Sequence, residues 1–307
     1  MERSAAVIIT TKNRKEELRK ALQSCFSQTV AAEVLVIDDG STDGTADMVR
    51  AEFPAARVDR SERSLGLIGQ RTRAAGLTSA EIIFSIDDDA AFISPQTIEQ
   101  TLAEFSHPRV AAVAIPYLEP HKPATKPVRP PPDGRIYCTS HYIGCAHAIR
   151  RDVFLSLGGY RDVLFRQGEE VDLGMRLLRA GYVVRVGAAD PLEHYESPRR
   201  DNRLQFYYTG RNALLVEFWN VPMPRLLWRL ASNHVNLITF AIRRRHPWWM
   251  IRGILGGWVA MYQHRQFREP MTAALHRLQR RLVKERVVLL EEIEPLLPPL
   301  SPLPGQG

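Results

Sequence analysis

Three consecutive carboxylates, Asp87, Asp88 and Asp89, follow directly on the stretch Glu81–Ile86. That stretch is short, apolar or small after its first residue, and bounded by small and polar residues, so it reads as a buried strand with the acids gathered at its carboxyl end. In an open α/β sheet this edge is where ligands bind. Acids at alternate positions, Asp87 and Asp89, can offer oxygens to one hard cation and leave its other positions to substrate phosphates. Taken alone the same residues also read as an acidic turn, with Ser94-Pro95 as an ordinary start signal for the next helix.

The acids must be positioned by a strand-then-helix pattern that repeats over the first two hundred residues. Strands are predicted at Ala5–Thr10, Glu33–Ile37, Arg57–Asp59 and around Ile82, with helices over Arg14–Ser27, from Thr45 to Phe53, and over Leu67–Leu77. This alternation is the signature of an α/β fold, a mostly parallel sheet with helices on both faces. Right-handed crossovers bring the ends of the first, second and fourth strands to one edge. That edge collects Thr10, Thr11, Asn13, Asp38, Asp39 and the Asp87–Asp89 triplet. No dinucleotide glycine fingerprint follows the first strand and no P-loop motif is present, which argues against nicotinamide, flavin and P-loop chemistry. Carboxylates repel phosphate unless a cation or an arginine stands between them. A metal-bridged nucleoside diphosphate resolves that conflict.

At 307 residues the chain is long enough for one large α/β domain with an appendage. Cys25, Cys138 and Cys145 are odd in number and lack metal-ligand spacing, which argues against disulfides and zinc and for a reducing compartment. The apolar start is too short for a signal peptide, and no uninterrupted apolar run reaches the length of a membrane span. The expected location is therefore cytoplasmic. A formal charge of +7 and a pI near 9.5 favour polyanionic partners. The excess lies in the C-terminal third: between Arg203 and Arg286 there are fifteen Lys or Arg against three acids, together with all five tryptophans, Trp219, Trp228, Trp248, Trp249 and Trp258. Two apolar runs, Val235–Ile242 and Trp248–Met261, flank Arg243-Arg244-Arg245, and the second is interrupted by Arg252 and three glycines. Basic helices with tryptophan at the polar boundary suit an anionic headgroup surface, here the inner face of a membrane. The same composition also suits a helical appendage whose tryptophans fill its own core.

Four segments, in order and spacing, resemble family 2 glycosyltransferases of the GT-A fold: Val7–Arg14, Val36–Thr45, Ile86–Asp89 and Gly168–Leu177. The likeness extends through Ala148–Phe154, Gly158–Tyr160, His194 and Tyr207–Asn212, and covers about the first 215 residues. It implies a nucleotide-sugar half over 1–115 and an acceptor half over 135–215. Composition adds a basic helical region over 216–290, and the prolines from Pro295 to Pro304 a disordered tail over 291–307. By resemblance, Asp39 reads the edge of the base, with Thr10 and Arg71 near the nucleotide. Asp87 and Asp89 look like the pair at the ribose and the divalent metal. Asn13 and Asp88, on the same edge, are counted with the nucleotide-sugar contacts. Glu170 stands where the family commonly has an Asp as catalytic base, and Glu169 or Asp172 could share that role. His194 resembles a late metal or diphosphate contact.

The chemistry can be argued without the resemblance. Moving a sugar from a nucleoside diphosphate to an alcohol needs a base for the hydroxyl proton and a cation for the charge on the leaving diphosphate. One carboxylate suffices as base, because the metal replaces the general acid that a hydrolase uses. In-line displacement inverts the anomeric centre, and Mg2+ or Mn2+ suits oxygen ligands and phosphate better than zinc. The expected partners are a nucleoside-diphosphate sugar and a saccharide or lipid-linked acceptor, as in polysaccharide or glycolipid assembly, with no nucleic acid. The proline-rich stretch 116–134 is expected as an acceptor-side flap or a passive linker. Two other classes compete. A nucleotidyltransferase would carry a glycine-rich basic loop near its start, which Thr10–Arg14 lacks, and a non-enzymatic polyanion binder would leave the ordered acids unexplained.

Overall fold

The computed structural model describes residues 3–122, 126–195 and 202–303. The first half alternates as the sequence predicts: β1 (Ala5–Thr11), α1 (Lys15–Phe26), β2 (Glu33–Asp38), α2 (Thr45–Glu52), β3 (Arg57–Arg60), α3 (Gly66–Leu77), β4 (Ile82–Asp87), β5 (Ala90–Phe92), α4 (Thr97–Ala103) and β6 (Val110–Ala114). There follow β7 (Tyr117–Leu118), β8 (Tyr137–Thr139), β9 (Ala146–Arg150), α5 (Arg151–Ser156), α6 (Glu169–Arg179), β10 (Val183–Val186) and β11 (Leu192–His194). The C-terminal third contributes α7 (Asn202–Asn220), α8 (Arg225–Arg243), α9 (Pro247–Gln263), α10 (Ala273–Glu285), β12 (Val288–Leu289) and α11 (Leu290–Ile293).

Nine strands form one sheet in the order β12-β8-β10-β6-β9-β4-β1-β2-β3, and β5, β11 and β7 form a smaller sheet. β1 is an interior strand, third from the β3 edge of the large sheet, and every one of its residues is buried, as a strand covered on both faces requires. It runs parallel to β2 and β4 with Thr10 opposite Ile37 and Asp87, and Thr11 opposite Asp38. These registers hold the polar ends of three strands at one level. β9 runs antiparallel to β4, with Ala146 opposite Ile86, so Gly144 and Cys145 enter at that same edge.

The end of the chain departs from expectation. Residues 291–303, expected as a disordered tail, are laid against the domain, and β12 adds an edge strand to the main sheet with Val288 opposite Cys138. After α11 and the 3-10 turn Glu294–Leu296, the proline-rich residues lack regular structure but leave carbonyls free to accept. Arg109 donates to Pro298 O at 2.9 Å, the Ser301 amide donates to Ala180 O at 3.0 Å, and Ile293 and Leu297 are buried. The last four residues of the expected tail, Pro304–Gly307, lie outside the described residues. Within the proline-rich stretch only Tyr117–Leu118 is regular, and Pro123–Thr125 also lie outside them. The three cysteines are buried and unpaired, and no described helix is long and apolar enough to cross a membrane.

α7 and α9 approach backbone to backbone. A Cβ on Gly253 would lie 2.2 Å from Tyr207 O, and one on Gly210 would lie 2.9 Å from Met250 O. The glycines that interrupt the second apolar run are therefore the contact that fixes α9 on α7. Gly253→Ala should force the helices apart and destabilise the protein by about 1–3 kcal/mol, the usual cost of overpacking. Denaturant unfolding measures this; an unchanged midpoint would show that the helices can separate freely.

Candidate active site

The carboxyl edge of β1, β2 and β4 opens into a cavity of about 740 Å³ lined by Thr10, Thr11, Asp39, Arg71, the Asp87–Asp89 triplet, Gly144, Glu169, Glu170 and His194, among others. The triplet ends β4 and begins the turn into β5. β5 pairs antiparallel with β11 so that His194 lies opposite Ala90, and this register carries a histidine more than a hundred residues away to the acids. His194 Nε2 is 3.3 Å from Asp89 Oδ1 and 3.8 Å from Asp87 Oδ2. One ligand atom from each of the three lies within 4.8 Å of the others, a donor set that fits a single hard or borderline divalent cation.

Charge at this edge is balanced by arginine. Arg14 reaches Asp88 at 2.9 Å and Asp89 at 2.8 Å, while Thr11 Oγ1 donates to Asp88 at 2.9 Å. Burial, aided by the charges of Asp89 and Asp87, pushes the Asp88 carboxyl up to about 7 against the pull of Arg14. Burial acts on Asp89 in the same sense, but a hydrogen bond to His194 and the charges of His194 and Arg14 outweigh it and hold Asp89 well below the ordinary range.

The opposite wall is the start of α6. Gly168, with φ +90°, turns the chain into the helix, and Glu169 and Glu170 occupy its first turn, where the helix dipole favours acids. The Gly144 amide donates to Glu170 Oε1 at 3.1 Å. Burial pushes both carboxyls up, and for Glu169 the charge of Glu170 adds to the effect. Between the walls lies Arg71, 4% exposed. It ion-pairs with Asp87, donates to Gly144 O at 2.9 Å, and comes within 3.8 Å of Glu169.

Asp172 does not join this group. Two residues beyond Glu170 it lies about 200° further around the helix, is fully buried, and is absent from the cavity lining. Its oxygens accept from Arg161 at 2.7 Å, Arg176 at 2.9 Å and Asn220 at 2.9 Å. The expectation that it could share the role of base is corrected by this geometry: its carboxylate ties α6 to α7.

Two other expected contacts are partly occupied within the protein. Asp39 lines the cavity, but its carboxylate accepts from the Leu65 amide at 2.8 Å, the Gly66 amide at 3.2 Å and Gln70 at 2.6 Å, and from Ser64. It holds the entry to α3 beside the end of β2. Asn13 is not part of the cavity lining. Its amide donates to Ser41 Oγ at 2.9 Å and its Oδ1 accepts from the Thr42 amide at 2.7 Å, so it ties the loop after β1 to the loop after β2. Thr10 does line the cavity, and its Oγ1 is buried without a hydrogen-bond partner.

Sequence reasoning gave no role to several residues that shape the site. Arg14 was visible only as part of a motif. Glu119, between Tyr117 and Pro120, brings Oε1 to 3.9 Å from His194 Nδ1, and the sequence offers no signal for it. Phe165 lines the cavity in a left-handed conformation, φ +56°, rare for a bulky residue. The loop that holds it is clamped by Asn212 on α7, which donates to Leu164 O, Arg166 O and Gln167 O at 2.7–2.8 Å.

A mixed sheet whose parallel strands β1, β2 and β4 present an Asp-x-Asp pair, with a late histidine, across from a glutamate pair fits the GT-A class of glycosyltransferase, and solved structures share this fold. The mannosyltransferase PcManGT from Pyrobaculum calidifontis, in complex with GDP-Man and Mn2+, superposes with a TM-score of 0.58 at 18% identity, covering 86% of this chain and 76% of that one. S. aureus TarS 1–349 in complex with UDP-GlcNAc gives 0.57 at 15% identity, covering 77% and 73%. Residues 6–157, just under half of the chain, match the profile of glycosyl transferase family 2, and this segment is a domain of that family. The succinoglycan biosynthesis protein ExoU of Rhizobium meliloti is 34% identical over 101 residues, which span 32% of this chain and 29% of that protein. The N-acetylglucosaminyl-diphospho-decaprenol L-rhamnosyltransferase of Mycobacterium tuberculosis is 29% identical over 144 residues, 46% of this chain and 38% of the relative. The matches thus span well under half the length of these curated relatives.

The geometry separates a structural acid from the cavity acids. Asp172→Ala would leave Arg161 and Arg176 buried without their counter-charge and should cost about 3–5 kcal/mol of stability. Calorimetric unfolding reads the loss. If Asp172→Asn instead retained full stability and lost only turnover, Asp172 would have to be returned to the chemistry.

Proposed function

We propose that the protein transfers a sugar from a nucleoside diphosphate to an acceptor hydroxyl, with metal dependence and inversion at the anomeric carbon. Its setting would be the assembly of a polysaccharide or glycolipid in the cytoplasm, at the inner face of a membrane. The observation that carries this reading is the pairing, across one cavity, of a cation-type donor set, Asp87, Asp89 and His194, with Glu169 and Glu170 of raised pKa. A divalent cation, Mn2+ or Mg2+, held by Asp87, Asp89 and His194 would supply the positive charge that a leaving diphosphate needs.

In this reading Thr10, Asp39, Arg71, Asp87 and Asp88 line the nucleotide-sugar subsite, and Asn13 shapes it by tying the two loops together. Glu170 accepts the acceptor's hydroxyl proton, held toward the cavity by the Gly144 amide. Burial raises the Glu170 pKa, which gives the transferred proton a more stable destination than an ordinary carboxylate does. Arg71, between the two walls, keeps Asp87 and the glutamates from repelling one another. The names of relatives support the setting: one takes part in succinoglycan biosynthesis and another is a rhamnosyltransferase acting on a diphospho-decaprenol-linked sugar.

Two measurements test the halves of this reading separately. Asp89→Ala should abolish manganese-dependent binding of nucleotide sugars in calorimetry while the protein stays folded; equal affinity with and without chelator in both proteins would remove the metal from the proposal. Glu170→Gln keeps size but accepts no proton, so transfer should fall about 10²-fold or more with donor binding retained. A base is active only when ionised. Because the Glu170 pKa is raised, the wild-type acid limb of kcat/KM should fall above the ordinary glutamate value of about 4.3, with rate lost as pH drops through it. An acid limb at or below that value, or normal turnover by Glu170→Gln, would assign the base elsewhere.

A further inference from the structure

The largest unexplained feature outside the cavity is the outer surface of α8 and α9. On α9 the buried positions Met250, Gly253, Ile254, Gly257, Ala260 and Met261 form one stripe. The opposite stripe, Trp248, Ile251, Leu255, Trp258, Val259 and Tyr262, is also apolar, yet exposed, with Trp248 at 64% and Tyr262 at 72%. A helix apolar on both faces needs a second apolar environment. α8 extends this surface through Leu227, Trp228, Val235 and Ile242, with Trp228 at 77%. The two helices meet where Trp258 Nε1 donates to His234 Nε2 at 3.1 Å, so the stripes form one continuous patch. Of the five tryptophans only Trp219 is fully buried. The alternative that the tryptophans fill the appendage's own core therefore holds for that residue and fails for Trp228, Trp248 and Trp258.

The charge around the patch selects its occupant. From Phe218 to Arg268 the chain has eight arginines and no Asp or Glu. Arg243, Arg244 and Arg245 lie at the turn between α8 and α9, beside Phe240, Ile242 and Trp248, and all three are exposed. Arg229 is ion-paired with Glu217, but the exposed Arg243–Arg245 cluster leaves a surface apolar in its middle and cationic at its rim, which repels a second copy of itself. It matches a layer that is apolar inside and anionic at its surface. Neither helix is apolar enough over sufficient length to cross a bilayer, so the patch lies on one, with tryptophans at headgroup depth and arginines among the phosphates.

We infer that the α8–α9 hairpin is an interfacial anchor that seats this protein on an anionic phospholipid surface. It rests on exposure and charge alone and is independent of the transferase reading. α9 is fixed to α7 through Gly253 and Gly210, and α7 clamps the loop before Glu169 through Asn212. One helix layer therefore links the anchor to the wall of the cavity.

The test uses the full-length protein without nucleotide, flotation with phosphatidylcholine vesicles, and the same vesicles containing phosphatidylglycerol. Wild type should float with the anionic vesicles at low salt and be released at about 1 M salt, where the screening length is ~3 Å. Each of Arg243, Arg244 and Arg245 changed to Gln should lower partitioning by roughly fivefold, the equivalent of about 1 kcal/mol per basic residue. The triple change Trp248→Glu, Leu255→Glu and Trp258→Glu, at exposed positions, should abolish flotation while the circular dichroism spectrum is retained. Should those variants misfold, quenching of wild-type tryptophan fluorescence by brominated lipid gives an independent readout: exposed tryptophans quench, and buried Trp219 does not. Equal flotation with both vesicle types, absence of binding at low salt, or a stable dimer in which the triple change restores the monomer would each overturn the inference. Loss of flotation with donor binding intact would be a failure of the anchor variant alone, and the reverse a failure of the transferase site alone.

Discussion

Five carboxylates, Asp87, Asp88, Asp89, Glu169 and Glu170, converge on one cavity, and the site can exist only because two guanidiniums stand among them. Arg14 takes up Asp88 and Asp89; Arg71 ties Asp87 to the Gly144 carbonyl and approaches Glu169. Paired charges in a partly buried site interact far more strongly than in water, so neither arginine is a neutral bystander. The residual imbalance is uneven by design of the fold: Asp89 is held ionised, while Asp88 and the two glutamates are pushed toward protonation.

Everything else in the first two hundred residues serves to bring those walls together. The parallel registers of β1, β2 and β4 place the first acids. The antiparallel return of β9 carries Gly144 to Arg71 and Glu170, and the small sheet carries His194 to Asp89. Behind α6, the Asp172 cluster with Arg161, Arg176 and Asn220 locks the helix to α7. Because α7 also receives α9 across glycine, the helical C-terminal appendage packs on an element that borders the site.

Much of this was legible in the chain because it is written locally. Apolar runs of strand length, followed by Asp or Asp-Asp-Gly, give both the strands and the end at which their acids fall. Residues whose placement depends on distant pairing were less legible. His194 could be named only through a resemblance, since the register of β11 against β5 sets its position. Asp172 resembled Glu170 in type and neighbourhood, and only the helical rotation, together with arginines at 161 and 176, shows that it faces inward. Glu119 carried no signal at all, and the terminal prolines read as disorder because sequence cannot show that a neighbouring arginine will collect their carbonyls. For the tryptophans the composition allowed two readings, and exposure distinguishes them one residue at a time.

The join between β5 and β11 has a consequence in time. Asp87 and Asp89 leave the ribosome more than a hundred residues before His194, and strand pairs so distant in sequence close late, because loop entropy must be overcome first. An emerging chain thus carries the acidic turn without His194 beside it until β11 has been made and paired with β5. Any cation that prefers the complete set stabilises the closed small sheet by mass action. A cation held by Asp87, Asp89 and His194 would in this way favour the paired state of β5 and β11.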